Sequence, residues 1–302
     1  MTAFVVVHYC STRETVACVE TIRTLDGAHH IVIVDNASPD GSGALLARQY
    51  AGAEDVTVLL NGENAGFARG NNLGLRKARE TLSAEFAVVL NPDVTILQRD
   101  FSERIRAIYA RTQFDLLGPD ILSAFTGIHQ NPKRLQGYTL EQVRQKLAYV
   151  RRSQNPVLML LSSGEKNDPV LWRMVLRRNR ARQNIDTDRV WENVVLHGSC
   201  VVFSEKFLNR VPEPFYPGTF MYFEMEILDW LCRQCGAVTV YDPSVKVLHQ
   251  QHAATRVAFR SIVSRSRFVA CCLEDSLCAA ERLMGGESGE DDEDAARCAV
   301  PT

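Results

Sequence analysis

The sequence predicts an α/β fold, an open, twisted and mostly parallel sheet with helices on both faces. Short apolar runs alternate with stretches of helical spacing through the first half of the chain, and turn-forming residues follow each run. The runs lack polar alternation, which is typical of strands that are buried on both faces. The four predicted strands are residues 4–7, 31–34, 56–60 and 86–90, and the predicted helices between them are residues 14–24, 43–50 and 67–82.

Length and composition limit the class of protein. The 302 residues are 46% hydrophobic, which suits one large domain or a domain with a smaller annex. A formal net charge of -2 gives no electrostatic reason to expect nucleic acid as a partner. No run approaches the roughly 20 apolar residues of a membrane span, and no basic residue precedes the apolar start, so it reads as a strand and not as a signal peptide. We therefore expect a cytoplasmic protein with reduced cysteines.

The second half of the chain changes in composition before strand signals return. Basic residues and helical periodicity, at 140–151 and 170–182, predict a helical insertion over 138–197. Its basic face is interpreted as solvated, with an anionic acceptor or a peripheral membrane contact as the alternative. Residues 285–302 are acidic and nearly without large apolar side chains, which predicts a disordered tail. The remaining predictions are strands at 199–203, 238–241 and 245–248 and helices at 224–235 and 256–284.

Polar side chains end the second predicted strand. Asp35 can accept a hydrogen bond from a heterocycle or a ribose hydroxyl, and Asn36 can both donate and accept. Ligands of open α/β sheets bind at the carboxyl ends of the strands, which is where this turn lies. An ordinary turn explains the same residue types, so the motif is compatible with a ligand-binding turn and with a purely structural turn.

A loop rich in glycine and asparagine follows the third predicted strand. It reads N-A-G-F-A-R-G-N-N-L-G at residues 64–74 and leads into a helix. Glycine lets a backbone approach a ligand closely, and a helix N-terminus attracts anions. The loop lacks the Gly-Lys-Ser/Thr of a P-loop and the G-x-G-x-x-G of dinucleotide-binding folds.

The fourth predicted strand delivers a carboxylate to its end, in Asn91-Pro92-Asp93. Asp93, helped by Asn91, could hold a hard divalent ion that also takes diphosphate oxygens. A turn with an Asx cap is the alternative explanation.

Together the three turns resemble the family 2 glycosyltransferases, and specifically their rhamnosyltransferase-like branch. The motifs are V-D-N-A-S at 34–38, N-A-G-F-A-R-G-N-N-L-G at 64–74 and L-N-P-D-V at 90–94, in matching order and spacing. The resemblance is strong over 4–137 and moderate over 198–255, where a strand ending in His249 and the segment Glu224-Met225-Glu226 correspond to family features. Relatives carry adjacent acids where Met225 separates the two glutamates here.

The resemblance implies a GT-A fold in a single catalytic domain over 1–284. Residues 1–137 would form the nucleotide-sugar-binding half, and 198–284 the acceptor-binding half with a C-terminal helix. Asp93 and His249 would hold Mg²⁺ or Mn²⁺ on the diphosphate, and Glu226 or Glu224 would be the catalytic base. On a helix these two glutamates point about 200° apart, so only one is expected to face the cleft, and Glu226 is preferred. The implied donor-binding residues are Tyr9, Asp35, Asn36, Gly66, Phe67, Ala68, Asn71, Asn72 and Asn91.

The implied reaction is inverting transfer of a sugar from a nucleotide-diphosphate donor to a hydroxyl. dTDP-rhamnose is the leading donor by resemblance, and a glycan or glycolipid in polysaccharide biosynthesis is the usual acceptor of the family. A catalytically weak scaffold protein is one alternative, which only the altered Glu-Met-Glu segment favours. A nucleotidyltransferase is another, against which the turn His8-Tyr9-Cys10-Ser11 argues because it lacks the glycine-rich basic loop of that class.

Overall fold

The structure, a computed structural model, describes residues 1–154, 185–250 and 262–286. The strands are β1 (Thr2–His8), β2 (His29–Asp35), β3 (Val56–Leu60), β4 (Phe86–Leu90), β5 (Val94–Ile96), β6 (Leu116–Ser123), β7 (Trp191–Glu192), β8 (Cys200–Ser204) and β9 (Thr239–His249). The helices are α1 (Thr12–Arg23), α2 (Ser42–Gln49), α3 (Gly66–Glu80), α4 (Phe101–Thr112), α5 (Leu140–Ser153), α6 (Glu205–Arg210), α7 (Glu224–Gln234) and α8 (Ile262–Gly285).

The described strands form one mixed sheet in the order β3-β2-β1-β4-β8-β6-β9-β5, with β7 on the flank of β9. β3, β2, β1 and β4 are parallel, as predicted from their buried runs. β8 lies antiparallel between β4 and β6, and β6 and β9 are again parallel. The register pairs Val7 with Val34 and Val6 with Leu90, so the carboxyl ends of β2, β1 and β4 meet at one edge.

Alternate residues of the parallel strands pack into two apolar layers. Phe4 and Val6 face a layer that includes α1, α2 and α4, and Val5 faces the opposite layer with α3, α6 and α7. This alternation follows from the two-residue repeat of a strand. Gly74 lets α3 lie directly on the sheet, since a Cβ there would meet Val5 Cγ1 at 2.2 Å.

The last strand differs from the sequence prediction. Two strands, at 238–241 and 245–248, were expected, whereas β9 is one continuous strand. Its register against β6 shifts where Asp242 and Lys246 pair with the adjacent residues Pro119 and Asp120. The extra residues form a bulge that the Asp242 carboxylate stabilises by accepting from Ser244 N–H and Oγ–H.

The predicted insertion and C-terminal helix pack on each other through α5 and α8. Thr139 and Gln142 form a capping box at the start of α5. Arg144 and Arg151 on its basic face pair with Glu281 and Glu274 of α8, at 2.9 and 2.7 Å. These exposed pairs contribute little, and the apolar contacts beneath them, including Val143, Leu147 and Leu277, hold the helices together.

Several predictions in this part of the chain fall outside the described residues, namely the helix at 170–182, the first turns of the C-terminal helix and nearly all of the acidic tail. The sheet resumes with β7, inside the range predicted as a helical insertion, and β7 pairs with β9. Within the described ranges, none of the helices combines the length and the apolar character that a membrane span requires.

Candidate active site

The turn after β2 is tied together by its own polar side chains. Asp35 is 5% exposed and accepts from Ser38 Oγ–H at 2.6 Å, as a turn-forming aspartate does. Gly43 packs so closely on the carboxylate that a Cβ there would lie 2.1 Å from Asp35 Oδ2. Asn36 donates from Nδ2 to Gly66 O at 2.8 Å and accepts from Asn61 Nδ2 at 3.2 Å, which joins this turn to the glycine-rich loop.

A buried histidine supports this turn and was not identified as a site residue from the sequence. His8 ends β1 and is fully buried, with Nδ1 2.8 Å from Thr15 Oγ1 and Nε2 2.8 Å from Ser42 Oγ. Burial lowers the pKa of His8, against the opposing charges of Asp35, Asp40 and Glu14. A neutral imidazole between two hydroxyl groups therefore connects β1, α1 and α2. Tyr9 follows directly and is partly exposed at the same sheet edge.

The glycine-rich loop connects the two halves of the molecule. Gly66 starts α3 with φ +75°, and a Cβ on it would lie 2.2 Å from Phe220 O. Phe67 N–H donates to the same carbonyl at 2.8 Å. A backbone this close to another backbone requires glycine, so the conformation explains this residue without a ligand.

Three other predicted donor-binding residues of this loop are used within the protein. Asn72 is 2% exposed, and its amide donates to Phe215 O at 2.7 Å and accepts from Phe215 N at 3.1 Å. Asn71 donates to Phe67 O at 2.8 Å, one turn earlier in α3. Ala68 is fully buried in the apolar layer on the α3 face of the sheet.

The predicted metal ligands come together although they are far apart in the sequence. β5 pairs antiparallel with β9 so that Val94 lies opposite His249. His249 Nε2 is consequently 3.3 Å from Asp93 Oδ1. Asn91 N–H donates to Ser199 O at 2.9 Å, and Asn91 O accepts from Val94 N–H, which fixes the turn that carries Asp93.

This pair fits a divalent cation. Nitrogen and carboxylate oxygen bind such ions at about 2.0–2.2 Å, which two donors 3.3 Å apart can do together. His249 Nδ1 lies 2.7 Å from Gln130 Oε1, an acceptor that favours the tautomer with a free Nε2 lone pair. The described residues contain no group of three or more His, Cys, Asp or Glu that could hold a metal, and Asp93 and His249 would supply two ligands.

The two glutamates lie in the first turn of α7. Tyr222 and Phe223, which precede them, have φ of +74° and +70°, a strained conformation for two consecutive non-glycine residues. Glu224 and Glu226 are 6% and 7% exposed. Met225 packs against Gly198, where a Cβ would lie 3.1 Å from Met225 Cγ. The start of α7 therefore lies beside the His197–Ser199 segment that also bonds to Asn91.

The two glutamates, of which only one is expected to face the cleft, lie close to a single lysine. Lys133 Nζ forms an ion pair with Glu226 Oε1 at 2.8 Å, and its charge also acts on Glu224. Helical positions two apart do diverge, yet the charge of one cation acts on both carboxylates. Burial works to lower the pKa of Lys133, and the charges of Glu226 and Glu224 outweigh it, so this pKa is raised.

Glu224 is the more perturbed carboxyl group. Burial raises the pKa of Glu224 to about 7, with the Glu226 charge adding to the effect and Lys133 opposing it. Glu224 Oε1 and Glu226 Oε2 are buried without a hydrogen-bond partner among the described residues. Buried polar atoms are rarely left in this state, so these two oxygens are candidates for contact with a bound group.

Comparisons with known proteins identify the family and the fold. The model of the family described as "Glycosyl transferase family 2" matches residues 4–164, more than half of the chain. The low-salt glycan biosynthesis hexosyltransferase Agl10 of Haloferax volcanii is 34% identical over 99 residues, which cover 33% of this chain and 30% of that protein. The match therefore spans less than a third of the relative.

Two solved structures share the fold. The mannosyltransferase PcManGT of Pyrobaculum calidifontis, solved with GDP-Man and Mn²⁺, superposes with a TM-score of 0.51 at 15% identity over 98% of this chain and 77% of that one. GalNAc-T7, solved with UDP, GalNAc and Mn²⁺, gives 0.55 at 12% identity over 99% and 53%. These similarities confirm the predicted GT-A fold.

Proposed function

This chain belongs to glycosyl transferase family 2, and we propose that it transfers a hexosyl group from a nucleotide-diphosphate sugar to a hydroxyl of a glycan or glycolipid, with inversion. The observation that carries the proposal is the proximity of two acidic centres. Asp93 is paired with His249, and the turn that carries it bonds to Ser199. Met225, between the two glutamates, packs on the neighbouring Gly198. A cation-binding pair and a buried carboxylate pair thus flank one short segment, as a transferase with separate donor and acceptor chemistry requires.

The donor is proposed to bind along the edge where β1, β2 and β4 end. Tyr9 and Asp35 would contact the nucleoside, and Gly66, Phe67 and Asn91 would line the path to the diphosphate. Asn36, Asn71, Asn72 and Ala68 are proposed to support this surface from within, since their contacts are internal. dTDP-rhamnose is the proposed donor on the resemblance alone.

Asp93 and His249 are proposed to hold Mg²⁺ or Mn²⁺ against the diphosphate. When bound, such an ion neutralises the charge that develops on the leaving group. The chain's own contribution is to fix the pair, through Gln130 on His249 and through the Asn91–Val94 turn on Asp93.

Glu224 is proposed as the base that takes the proton from the acceptor hydroxyl. A base is most effective when its pKa lies near the operating pH, and burial raises the pKa of Glu224 to about 7. Glu226 Oε1 is instead ion-paired to Lys133 Nζ at 2.8 Å, which engages this carboxylate. These contacts favour Glu224 and reverse the preference for Glu226 that the sequence suggested.

The test is nucleoside diphosphate release from a panel of nucleotide sugars with Mn²⁺, with and without glycan or glycolipid acceptors. Acceptor-dependent release supports transfer, whereas donor binding without release would support the scaffold alternative. Pyrophosphate or sugar-phosphate chemistry instead of transfer would indicate a nucleotidyltransferase. A cytoplasmic site of action, peripheral to the inner face of the membrane when the acceptor is a glycolipid, is part of the proposal and is tested by fractionation.

A further inference from the structure

We propose that Lys133 is a positioning residue that assigns the two buried glutamates to different tasks, holding Glu226 as its ionised partner and leaving Glu224 to take the acceptor proton. This inference rests on the proposed transferase function. It adds a residue that no motif in the sequence indicates, since Lys133 lies in the loop between β6 and α5.

The Lys133 ammonium is ion-paired with one of the two carboxylates, and its charge acts on the other. Lys133 Nζ is 2.8 Å from Glu226 Oε1, and the two glutamate side chains are almost fully buried. Glu226 also lines a crevice with Tyr138, Phe223 and Trp230, which is a poor environment for an unpaired charge. Two neighbouring buried carboxylates without a cation would favour sharing one proton, as like charges do. The Lys133 ammonium offsets the repulsion between the two carboxylates at Glu226.

The other groups around the pair do not replace Lys133. On α7, Asp229 is engaged by Arg233 at 2.8 Å. From α8, Cys272 faces Glu224, and burial raises the pKa of this thiol to about 11, so it is uncharged at neutral pH. In the loop, the Tyr138 ring lies beneath the Arg134 guanidinium at 4.0 Å. Lys133 is therefore the cation that the two glutamates interact with from this loop.

The loop is held firmly enough to present the ammonium at one place. Lys133 N–H donates to Val195 O at 2.8 Å, and Arg134 forms a bridge with the same residue. The Asn131 amide donates to Pro119 O at 2.8 Å and accepts from His197 N–H at 3.0 Å. The backbone around Lys133 is thus fixed on β6 and on the segment that leads to Gly198. The side chain of Lys133 remains 38% exposed.

Removing either partner has an effect of predictable sign on the pH dependence. Transfer requires ionised Glu224, so the rate rises as pH passes the pKa of this group. Loss of the nearby cation disfavours the ionised form and moves the rise to higher pH. Loss of the Glu226 charge leaves Lys133 acting on Glu224 and moves the rise to lower pH.

The experiment measures kcat against pH for acceptor-dependent nucleoside diphosphate release, with donor affinity determined by calorimetry. The variants are Lys133→Gln, Lys133→Arg and Glu226→Gln in the full chain. The control is Lys206→Gln. Lys206 is exposed on α6, which directly follows β8. The end of β8 pairs with Phe86 at the start of β4, so Lys206 lies at the edge of the sheet opposite the candidate site. We expect Lys133→Gln to shift the midpoint up by about one pH unit, which is about tenfold in rate on the acidic side.

Lys133→Arg should restore the midpoint, and Glu226→Gln should shift it down while donor affinity stays unchanged in every variant. A loss in Lys133→Gln that is equal at every pH, or a shift of the same sign in Lys133→Gln and Glu226→Gln, would overturn the assignment. If Lys133→Gln is too unstable to assay, Glu226→Gln decides by itself, because an inactive Glu226→Gln variant identifies Glu226 as the base. Wild type without acceptor-dependent release would overturn the proposed function itself, whereas an active wild type with unmoved midpoints overturns Lys133 alone.

Discussion

The proposed donor half and the proposed acceptor half of the candidate site differ in how their buried polar groups are satisfied. In the donor half, His8, Asp35 and Asn36 each have partners of good geometry within the protein. In the acceptor half, Glu224 and Glu226 each keep a buried oxygen without a partner among the described residues, and two residues before them have positive φ. The first half is built as a rigid surface, and the second retains unsatisfied groups where proton transfer is proposed. Active sites commonly contain groups that lower the stability of the fold and are needed for activity.

The strongest way to break this contrast is to remove the reactive carboxylate. Glu224→Gln should lower kcat by about 10²–10⁴-fold, the usual contribution of a general base. Donor affinity should stay unchanged, since the donor half is intact. The measurement is acceptor-dependent turnover beside calorimetric donor binding, with Glu226→Gln as the matched control that keeps most of its turnover. An active Glu224→Gln enzyme with an inactive Glu226→Gln enzyme would exchange the two roles.

Changing the proposed metal pair, Asp93 and His249, should weaken donor binding, and loss of the ion would also slow the transfer because the leaving-group charge is no longer neutralised. Asp93→Asn should reduce donor affinity in Mn²⁺ by at least tenfold, since even residues behind metal ligands contribute about 10–100-fold to metal affinity. Affinity measured with a chelator present should differ little from wild type. Asp26→Asn, which alters an exposed carboxylate on the surface, is the control. Equal donor affinity of Asp93→Asn and wild type in Mn²⁺ would remove Asp93 from the metal site.

The link between the halves can be tested at Gly66. Gly66→Ala places a Cβ at positive φ and 2.2 Å from Phe220 O, so we expect a loss of about 2–4 kcal/mol in the free energy of unfolding. Gly41→Ala has the same φ of +75° but open space around the Cβ, and should lose only about 1 kcal/mol. Chemical denaturation of both variants separates the backbone strain, which they share, from the clash. Equal losses of unfolding free energy in the two variants would show that the contact with Phe220 relaxes without a cost in stability.

The sequence was sufficient for the parts of the fold that depend on local pattern. Unbroken apolar runs identify β1 to β4, and contiguous motifs mark the turns at Asp35 and Asp93. The pairing of Asp93 with His249 was predicted only through the family resemblance, since it depends on β5 lying beside β9.

The remainder depended on tertiary contacts that no local pattern records. β5, α4 and β6 were not identified, and β9 was predicted as two strands because its bulge residues read as a turn. Lys133 has no motif, and its function follows from a loop fixed by Val195 and Asn131. The sequence pattern predicts Asn72 as a ligand-binding residue, whereas its amide donates to and accepts from the Phe215 backbone.

The smallest expected effect concerns the stability that the acceptor half gives up. The pKa of Glu224 is about 7 in the folded protein, against an ordinary value of 4.5. Below pH 4.5 the group is protonated in both the folded and the unfolded chain. Between pH 4.5 and 7 the unfolded chain releases the proton first, so folding stability falls as pH rises, and above pH 7 the cost is constant.

Glu224→Gln lacks this titration, so its melting temperature should rise relative to wild type between pH 5 and pH 8. A difference of about 1–3 kcal/mol corresponds to several degrees in a chain of this size. Glu205→Gln, an exposed change on α6, should show no such trend. Parallel melting curves of Glu224→Gln and wild type across this pH range would mean that Glu224 ionises in the folded protein as it does in water. The contrast between the two proposed halves would then rest only on the buried glutamate oxygens without partners among the described residues and on the positive φ values before α7.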